Sequence, residues 1–302
     1  MSSHEIKQVR ELLASEPDPK TMSLADSRAD FDEQGRQFPL PEGLSIEPWN
    51  AGGVPAQWFR AKNAHTDAAM LYLHGGGYMV GSSTSHRHLI AALSEASGVA
   101  VLAPDYRLGP EHPFPAAVED AVAAYQWLLQ QPHPPNRIVI AGDSAGGGLT
   151  VATMLALGDR RIALPAAGFC LSPWADLTNT AESYTTRSAA DPVLTRERLD
   201  EMAAAYLQGQ DARSPLASPI FADLAGLPPL LIQVGSDEVL FDDSIHLEAC
   251  AKAAGVEVRL EVWEEMIHVW HYFYPLLAEG REAIARIGEF VRTQIDESVA
   301  RP

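Results

Sequence analysis

Four short segments of the chain carry residues that could together perform acyl transfer to water. The first is Gly142-Asp143-Ser144-Ala145-Gly146-Gly147, a G-x-S-x-G unit between the apolar run 137–141 and the helical run 149–157. In a sharp strand-to-helix turn of this kind the serine is held in a strained conformation that only small neighbours permit. Its Oγ is then exposed at the sheet edge, beside a helix N-terminus. A bulky residue at Gly142 or Gly146 would clash. The second segment is His74-Gly75-Gly76-Gly77-Tyr78, which follows the apolar run 68–73. Its glycines let backbone N–H groups turn towards the same edge. Two of the amides of Gly75, Gly76 and Gly77, with that of Ala145, are expected to form an oxyanion hole, each donor being typically worth ~3 kcal/mol of barrier.

Two further segments must supply a base and an acid. A serine hydroxyl is a weak nucleophile at neutral pH, so it needs an imidazole to take its proton, and the imidazole needs an acid to fix its tautomer. Among ten histidines, His268 lies in the loop after the last apolar strand, 257–263, which brings it back over the strand ends. The run 230–234 ends in Gly235-Ser236-Asp237-Glu238, and Asp237, the first carboxylate past the strand, is expected to orient His268. Other residues have plainer readings. His271 packs in an aromatic segment with Trp270, Tyr272 and Phe273, His74 anchors its glycine loop, and His112 is structural. Asp242 and Asp243 fall one turn later and stabilise a helix N-terminus or the local loop, and Glu238 and Asp143 support neighbouring loops.

A glycine-rich turn can instead cradle a phosphate. Two features argue against that here: the turn follows several strands rather than the first, and Asp143 would bring negative charge to the phosphates. Cys170 and Cys250 have no CxxC spacing and read as reduced packing residues. No histidine has recognisable metal-ligand spacing, so no metal site is expected.

The elements that must position these groups are legible as periodicities. Ser2 and Glu5 resemble a capping box ahead of Ile6, Val9, Leu12 and Leu13, a short amphipathic helix stopped by Pro17 and Pro19. A second helix is expected over 23–34, ending near Gly35, then a strand pair, 44–49 and 56–62, turned at Gly52-Gly53. Apolar runs then alternate with helices: 68–73, helix 85–97, 99–103, helix 116–130, 137–141, helix 145–157, 166–171. This rhythm implies a mostly parallel sheet covered by helices on both faces. Residues 183–219 are polar and interrupt it, with one helical stripe of Leu199, Met202, Ala203 and Tyr206 starting near Thr195. The alternation resumes with strand 230–234, helix 239–254, strand 257–263 and helix 276–295. The organisation expected is an N-terminal cap segment (1–45), a first core part (46–182), an inserted cap segment (183–219) and a second core part (220–302).

Composition narrows the partners. With 22 basic and 40 acidic residues the formal charge is −18, a surface that repels phosphate backbones and anionic headgroups, so nucleic acid is not an expected partner. No stretch approaches the roughly 18 consecutive apolar residues of a membrane helix. Residues 1–16 lack the apolar run of a secretory signal, which points to the cytoplasm.

Together, His74-Gly75-Gly76-Gly77, the block Asp105-Tyr106-Arg107-Leu108-Gly109-Pro110-Glu111-His112-Pro113-Phe114-Pro115-Ala116, Gly142 to Gly147 and Ile267-His268 resemble the bacterial hormone-sensitive-lipase-like esterases. The likeness spans about residues 68 to 275, and the Ser, Asp, His order belongs to the same pattern. It implies an α/β-hydrolase fold with a helical cap and a cofactor-independent carboxylesterase acting on short- to medium-chain acyl esters. It also leaves room for a homodimer paired through the strand 257–263. The family usually has proline and leucine where Glu238 and Val239 follow Asp237, and alanine where Gly109 stands. An amidase or deacetylase could use the same three residues, and the fold also hosts binding proteins that lack one of them.

Overall fold

The structure, a computed structural model, describes residues 4–15 and 22–300. The capping residue Ser2 and the stops Pro17 and Pro19 lie outside the described residues. Helix α1 (His4–Ser15) buries Ile6 and Val9, and α2 (Leu24–Gln37) starts where Ser23 accepts a hydrogen bond from the Asp26 amide. Helix α2 ends two residues past Gly35, near the expected stop. Gly35 is a contact point rather than a stop: a Cβ there would overlap the Ser85 carbonyl.

Eight strands form one sheet: β1 (Ser45–Ala51), β2 (Val54–Arg60), β3 (His65–Leu73), β4 (Val99–Pro104), β5 (Ile138–Asp143), β6 (Ala167–Leu171), β7 (Leu230–Gly235) and β8 (Val258–Trp263). Their order is β1-β2-β4-β3-β5-β6-β7-β8. β2 is antiparallel to β1 and β4, whereas every pairing from β4 to β8 is parallel. Parallel strands need crossovers, and these are α3 (Arg87–Ser97), α4 (Ala116–Leu128), α5 (Ala145–Asp159) and α8 (Phe241–Ala253), with α9 (Ala278–Ala300) closing the chain. The chain belongs to the α/β class expected, with an eight-stranded, mostly parallel sheet between helices.

Period-two alternation builds the two cores on either side of the sheet. Leu71, Leu102, Ile138 and Ile140 face the layer of α4, α5 and α8. Met70, Val101, Val139 and Ala141, their neighbours along the strands, face α3 and α9. Because both faces are covered, the central strands β4 to β7 are buried throughout, which is why they read as continuous apolar runs.

Between β6 and β7 the chain leaves the sheet and forms α6 (Ser183–Thr186) and α7 (Arg196–Leu207), the latter capped by Thr195. The stripe of α7 faces the molecule, with Leu199, Ala203 and Tyr206 buried. Tyr206 stacks on Tyr78 at a centroid separation of 3.9 Å, so α7 is seated directly on the glycine-rich loop after β3.

Candidate active site

The turn from β5 into α5 is set by close backbone approaches. A Cβ on Gly142 would overlap the Gly146 carbonyl oxygen, and one on Gly146 would overlap that of Leu73, the clash expected from the sequence. Ser144 between them has φ 53° and ψ −121°, a left-handed φ that L-residues rarely adopt and that is stored at functional sites. Its amide donates to Leu171 O (2.8 Å), and its carbonyl accepts from Trp174 N (2.9 Å). The hydroxyl is thus presented at the C-terminal end of the sheet, just ahead of the N-terminus of α5.

His268 reaches it from the loop after β8. Its Nε2 lies 2.9 Å from Ser144 Oγ, and its Nδ1 lies 2.6 Å from Glu238 Oε2. A carboxylate can only accept, so Nδ1 carries the hydrogen and Nε2 is left to accept from the serine hydroxyl. Burial by itself disfavours the imidazolium, but the hydrogen bond and charge of Glu238, reinforced by Asp191 and Asp143, hold His268 above its ordinary pKa.

The carboxylate on His268 is therefore Glu238 and not Asp237. Asp237 turns the other way, to Arg10 Nη2 at 2.7 Å. Successive side chains in a turn project to different sides, so only one of the two can face the histidine. Glu238 is fully buried, and its second oxygen, Oε1, accepts from Gly235 N (2.7 Å) and Ser172 Oγ (2.7 Å). Ser172 Oγ in turn accepts from Val269 N at 3.1 Å. Glu238 is thus linked through Ser172 to the residue that follows His268. Val269 itself is left-handed, at φ 48° and ψ 47°. Glu238 is the residue the sequence reading placed as loop support. The signal lay in the departure from the family pattern, where an acid replaces proline right after Asp237.

The glycine loop also differs in one member. Gly75 N donates to Asp143 Oδ1 (3.0 Å), so its amide is committed and does not point at an incoming oxyanion. Gly76 and Gly77 have φ of 112° and 61° and line the same cavity as Ser144 and His268. Ala145 opens α5, where first-turn amides have no intrahelical partner. Asp143 is the anchor of this loop: it also accepts from Tyr72 Oη (2.7 Å) and contacts His86 Nε2 (3.2 Å). Burial would raise its pKa, but His86, Tyr72 and His74 together hold it below the usual carboxylate range. His74, pushed down to about 3 by burial and by His86, is neutral and contacts Gly75 O through Nδ1 (2.8 Å), which fits its expected anchoring role.

The block from Asp105 to Ala116 braces this loop. Tyr106 stacks on His74 (4.2 Å) and donates to its carbonyl (2.6 Å). Asp105 Oδ1 accepts from Ser83 N (2.7 Å), and Gly109 N donates to Tyr78 O (2.8 Å). Asp243 accepts from the amides of Ala175 and Asp176, and Asp242 from that of Ser183 (2.8 Å), so both tie the start of α8 to the distant segment after β6 and not to their own loop. His271 contacts Gln233 Oε1 through Nε2 (2.8 Å) inside the aromatic cluster. Cys170 is buried, and burial pushes its thiol up to about 12, an inert packing group.

A cavity of about 490 Å³ opens on Ser144 and His268. Leu13 and Phe31 line it from α1 and α2, Val193, Leu199 and Met202 from the segment ending in α7, and Val269 and Phe273 from the base loop. Met202 lies directly over Gly77, where a Cβ would overlap its sulfur. Polar groups of α2, among them Asp30 and Gln34, complete the lining. Among the described residues no three His, Cys, Asp or Glu are grouped to hold a metal, and no helix is long and apolar enough to cross a membrane.

This nucleophile turn, glycine loop and histidine–carboxylate pair on a parallel sheet define a serine hydrolase of the α/β-hydrolase type. Comparison with known proteins agrees. A family model described as alpha/beta hydrolase fold matches residues 70–272. An acetyl-hydrolase of Streptomyces hygroscopicus is 50% identical over 99% of this chain and 100% of its own. An esterase of Acinetobacter venetianus is 35% identical over 92% of each chain. The crystal structure of an esterase from the bacterial hormone-sensitive lipase family superposes with a TM-score of 0.94 at 49% identity, over 98% of this chain and 99% of that one. The chain belongs to the bacterial hormone-sensitive lipase family of the α/β-hydrolase superfamily, and it is a serine carboxylesterase.

Proposed function

We propose that the chain hydrolyses short- to medium-chain acyl esters through an acyl-enzyme on Ser144, with His268 as general base and acid and Glu238 orienting the imidazole. The observation that carries this reading is the pair of hydrogen bonds on one ring, Nε2 to Ser144 Oγ and Nδ1 to Glu238 Oε2. Ser144 Oγ attacks the ester carbonyl as its proton passes to His268 Nε2. The amides of Ala145, Gly76 and Gly77 receive the developing oxyanion, in the expected set less Gly75. His268 then returns the proton to the leaving alcohol, and a water repeats the sequence to release the acid.

The cavity supports the substrate class: its volume is at the lower end of small-molecule sites, and its lining is mostly aliphatic and aromatic. We assign residues 1–45 and 183–219 to a cap over a core of 46–182 and 220–302, because both outer segments contribute walls to that cavity. The end strand β8, with Val262 41% exposed, offers an unpaired edge through which two copies would join. Gel filtration of the wild type against a variant carrying Val262→Lys measures that association.

The decisive experiment is Ser144→Ala. It is expected to abolish hydrolysis of p-nitrophenyl acetate and butyrate and to prevent labelling by an organophosphate, and a label found on another serine would overturn the assignment. A matched anilide hydrolysed as fast as its ester would move the reading to an amidase.

A further inference from the structure

The carboxylate nearest the end of β7 has a partner of its own, and that partner comes from the other end of the chain. Arg10 Nη2 donates to Asp237 Oδ2 at 2.7 Å and reaches Glu265 O at 3.5 Å, while Nη1 donates to Ala190 O at 2.7 Å. These acceptors stand on three segments that meet at the site. Asp237 directly precedes Glu238, and Glu265 comes three residues before His268. Ala190 precedes Asp191, whose carboxylate accepts from Val239 N (2.9 Å), Val193 N (2.8 Å) and Leu194 N (3.0 Å). Val193 and Leu194 line the cavity, and so do Leu12 and Leu13 of the helix that carries Arg10. The two acid- and base-bearing turns are already joined by Asp237 N to Met266 O (2.9 Å) and Glu265 N to Ser236 Oγ (2.7 Å). Arg10 adds α1 to that junction.

We propose that Arg10 is a positioning residue: its guanidinium, forked onto Asp237, Ala190 and Glu265, docks α1 as a wall of the acyl site and fixes that wall relative to the turns of Glu238 and His268. This rests on the serine-esterase reading above. An ion pair with side chains 29% and 31% exposed adds little stability of its own. The consequence is geometric, because a planar fork with two separated donors can hold acceptors from three segments at once, which a lysine ammonium cannot reproduce. Asp237 on this account serves the acyl site and leaves the histidine to its neighbour.

The test compares wild type, Arg10→Ala, Arg10→Lys, Asp237→Asn and the double variant Arg10→Ala/Asp237→Asn on p-nitrophenyl acetate and p-nitrophenyl hexanoate. Hydrogen exchange is followed over residues 4–15. Arg10→Ala is expected to raise KM for the hexanoate about tenfold and Asp237→Asn to raise it by less, each with a smaller rise for the acetate and a change in kcat of no more than about threefold. The double variant should be no worse than Arg10→Ala alone, since that change already removes the contact that Asp237→Asn weakens. Arg10→Lys should recover part of the loss, and α1 should exchange faster in Arg10→Ala. An unchanged KM for the hexanoate, or losses that multiply in the double variant, would overturn the proposal. So would a collapse of kcat in Asp237→Asn alone, which would return Asp237 to the histidine. If wild type turned over neither ester, the esterase reading would fail, and exchange over α1 would still decide the docking role: faster in both variants supports it, unchanged refutes it.

Discussion

The turn that carries Ser144 and the turn that carries Glu238 both place one side chain at the end of a parallel strand, yet they are specified in different ways. Around Ser144 the constraint is steric and local: Gly142 and Gly146 are so close to the carbonyls of Gly146 and Leu73 that no Cβ fits. Around Glu238 the constraint is electrostatic and distant. Two adjacent carboxylates compete, and the choice follows from what each finds across the fold: Ser172 and His268 for Glu238, Arg10 for Asp237. A sterically specified turn leaves its mark in the sequence as small residues at fixed offsets. One specified by remote partners leaves almost none.

The largest test of this contrast exchanges the two acids. Glu238→Gln is expected to lower kcat/KM by about 10⁴-fold, because an amide no longer fixes the tautomer or balances the imidazolium. Asp237→Asn should cost about tenfold at most. Equal losses at both positions in steady-state kinetics would erase the distinction. A stability measurement probes the steric turn. Gly146→Ala should lower the unfolding free energy by about 3 kcal/mol or more in denaturant titration, as expected when a rigid contact is overpacked. Gly158→Ala on the same helix, where a Cβ meets nothing within 4 Å, should be neutral or stabilising by up to about 1 kcal/mol. The smallest effect is a shift in pH profile. His268 must be neutral to accept the serine proton, and Glu238 helps hold its pKa above the ordinary value, so the wild-type acid limb of kcat/KM should sit above the ordinary histidine range. Removing the charge in Glu238→Gln leaves burial dominant, and the residual activity should show that limb displaced to lower pH. An unmoved limb would mean that Glu238 is not the group tuning the base.

Much of the fold was legible because its physics is local. Central strands covered on both faces must be apolar throughout, and amphipathic crossovers must separate them, so the runs from 68 to 171 mapped onto β3 to β6 with shifts of a few residues at their ends. β5 extends two residues beyond the apolar run because Gly142 and Asp143 still pair with Cys170 and Leu171. Gly35 located the end of α2 to within two residues, but its physical role there is the close approach of Ser85 and not a stop. In the site, motif and chain order pick out Ser144 and His268, whose side chains meet in the structure. Gly75 was not separable from Gly76 and Gly77 without knowing that Asp143 takes its amide. Glu238 was hidden for the same kind of reason, since the fully buried member of an acidic pair is decided by partners 30 and 66 residues away in sequence.

The left-handed valine that follows His268 has an effect on evolvability. A β-branched residue at φ 48° sits in a region where such side chains are outliers, at a typical cost of about 1–3 kcal/mol. Glycine would relax the backbone there while widening the range of orientations open to the neighbouring imidazole. Screening this chain for heat resistance alone would thus favour replacement at Val269, and the variants so selected would trade catalytic alignment for thermal endurance.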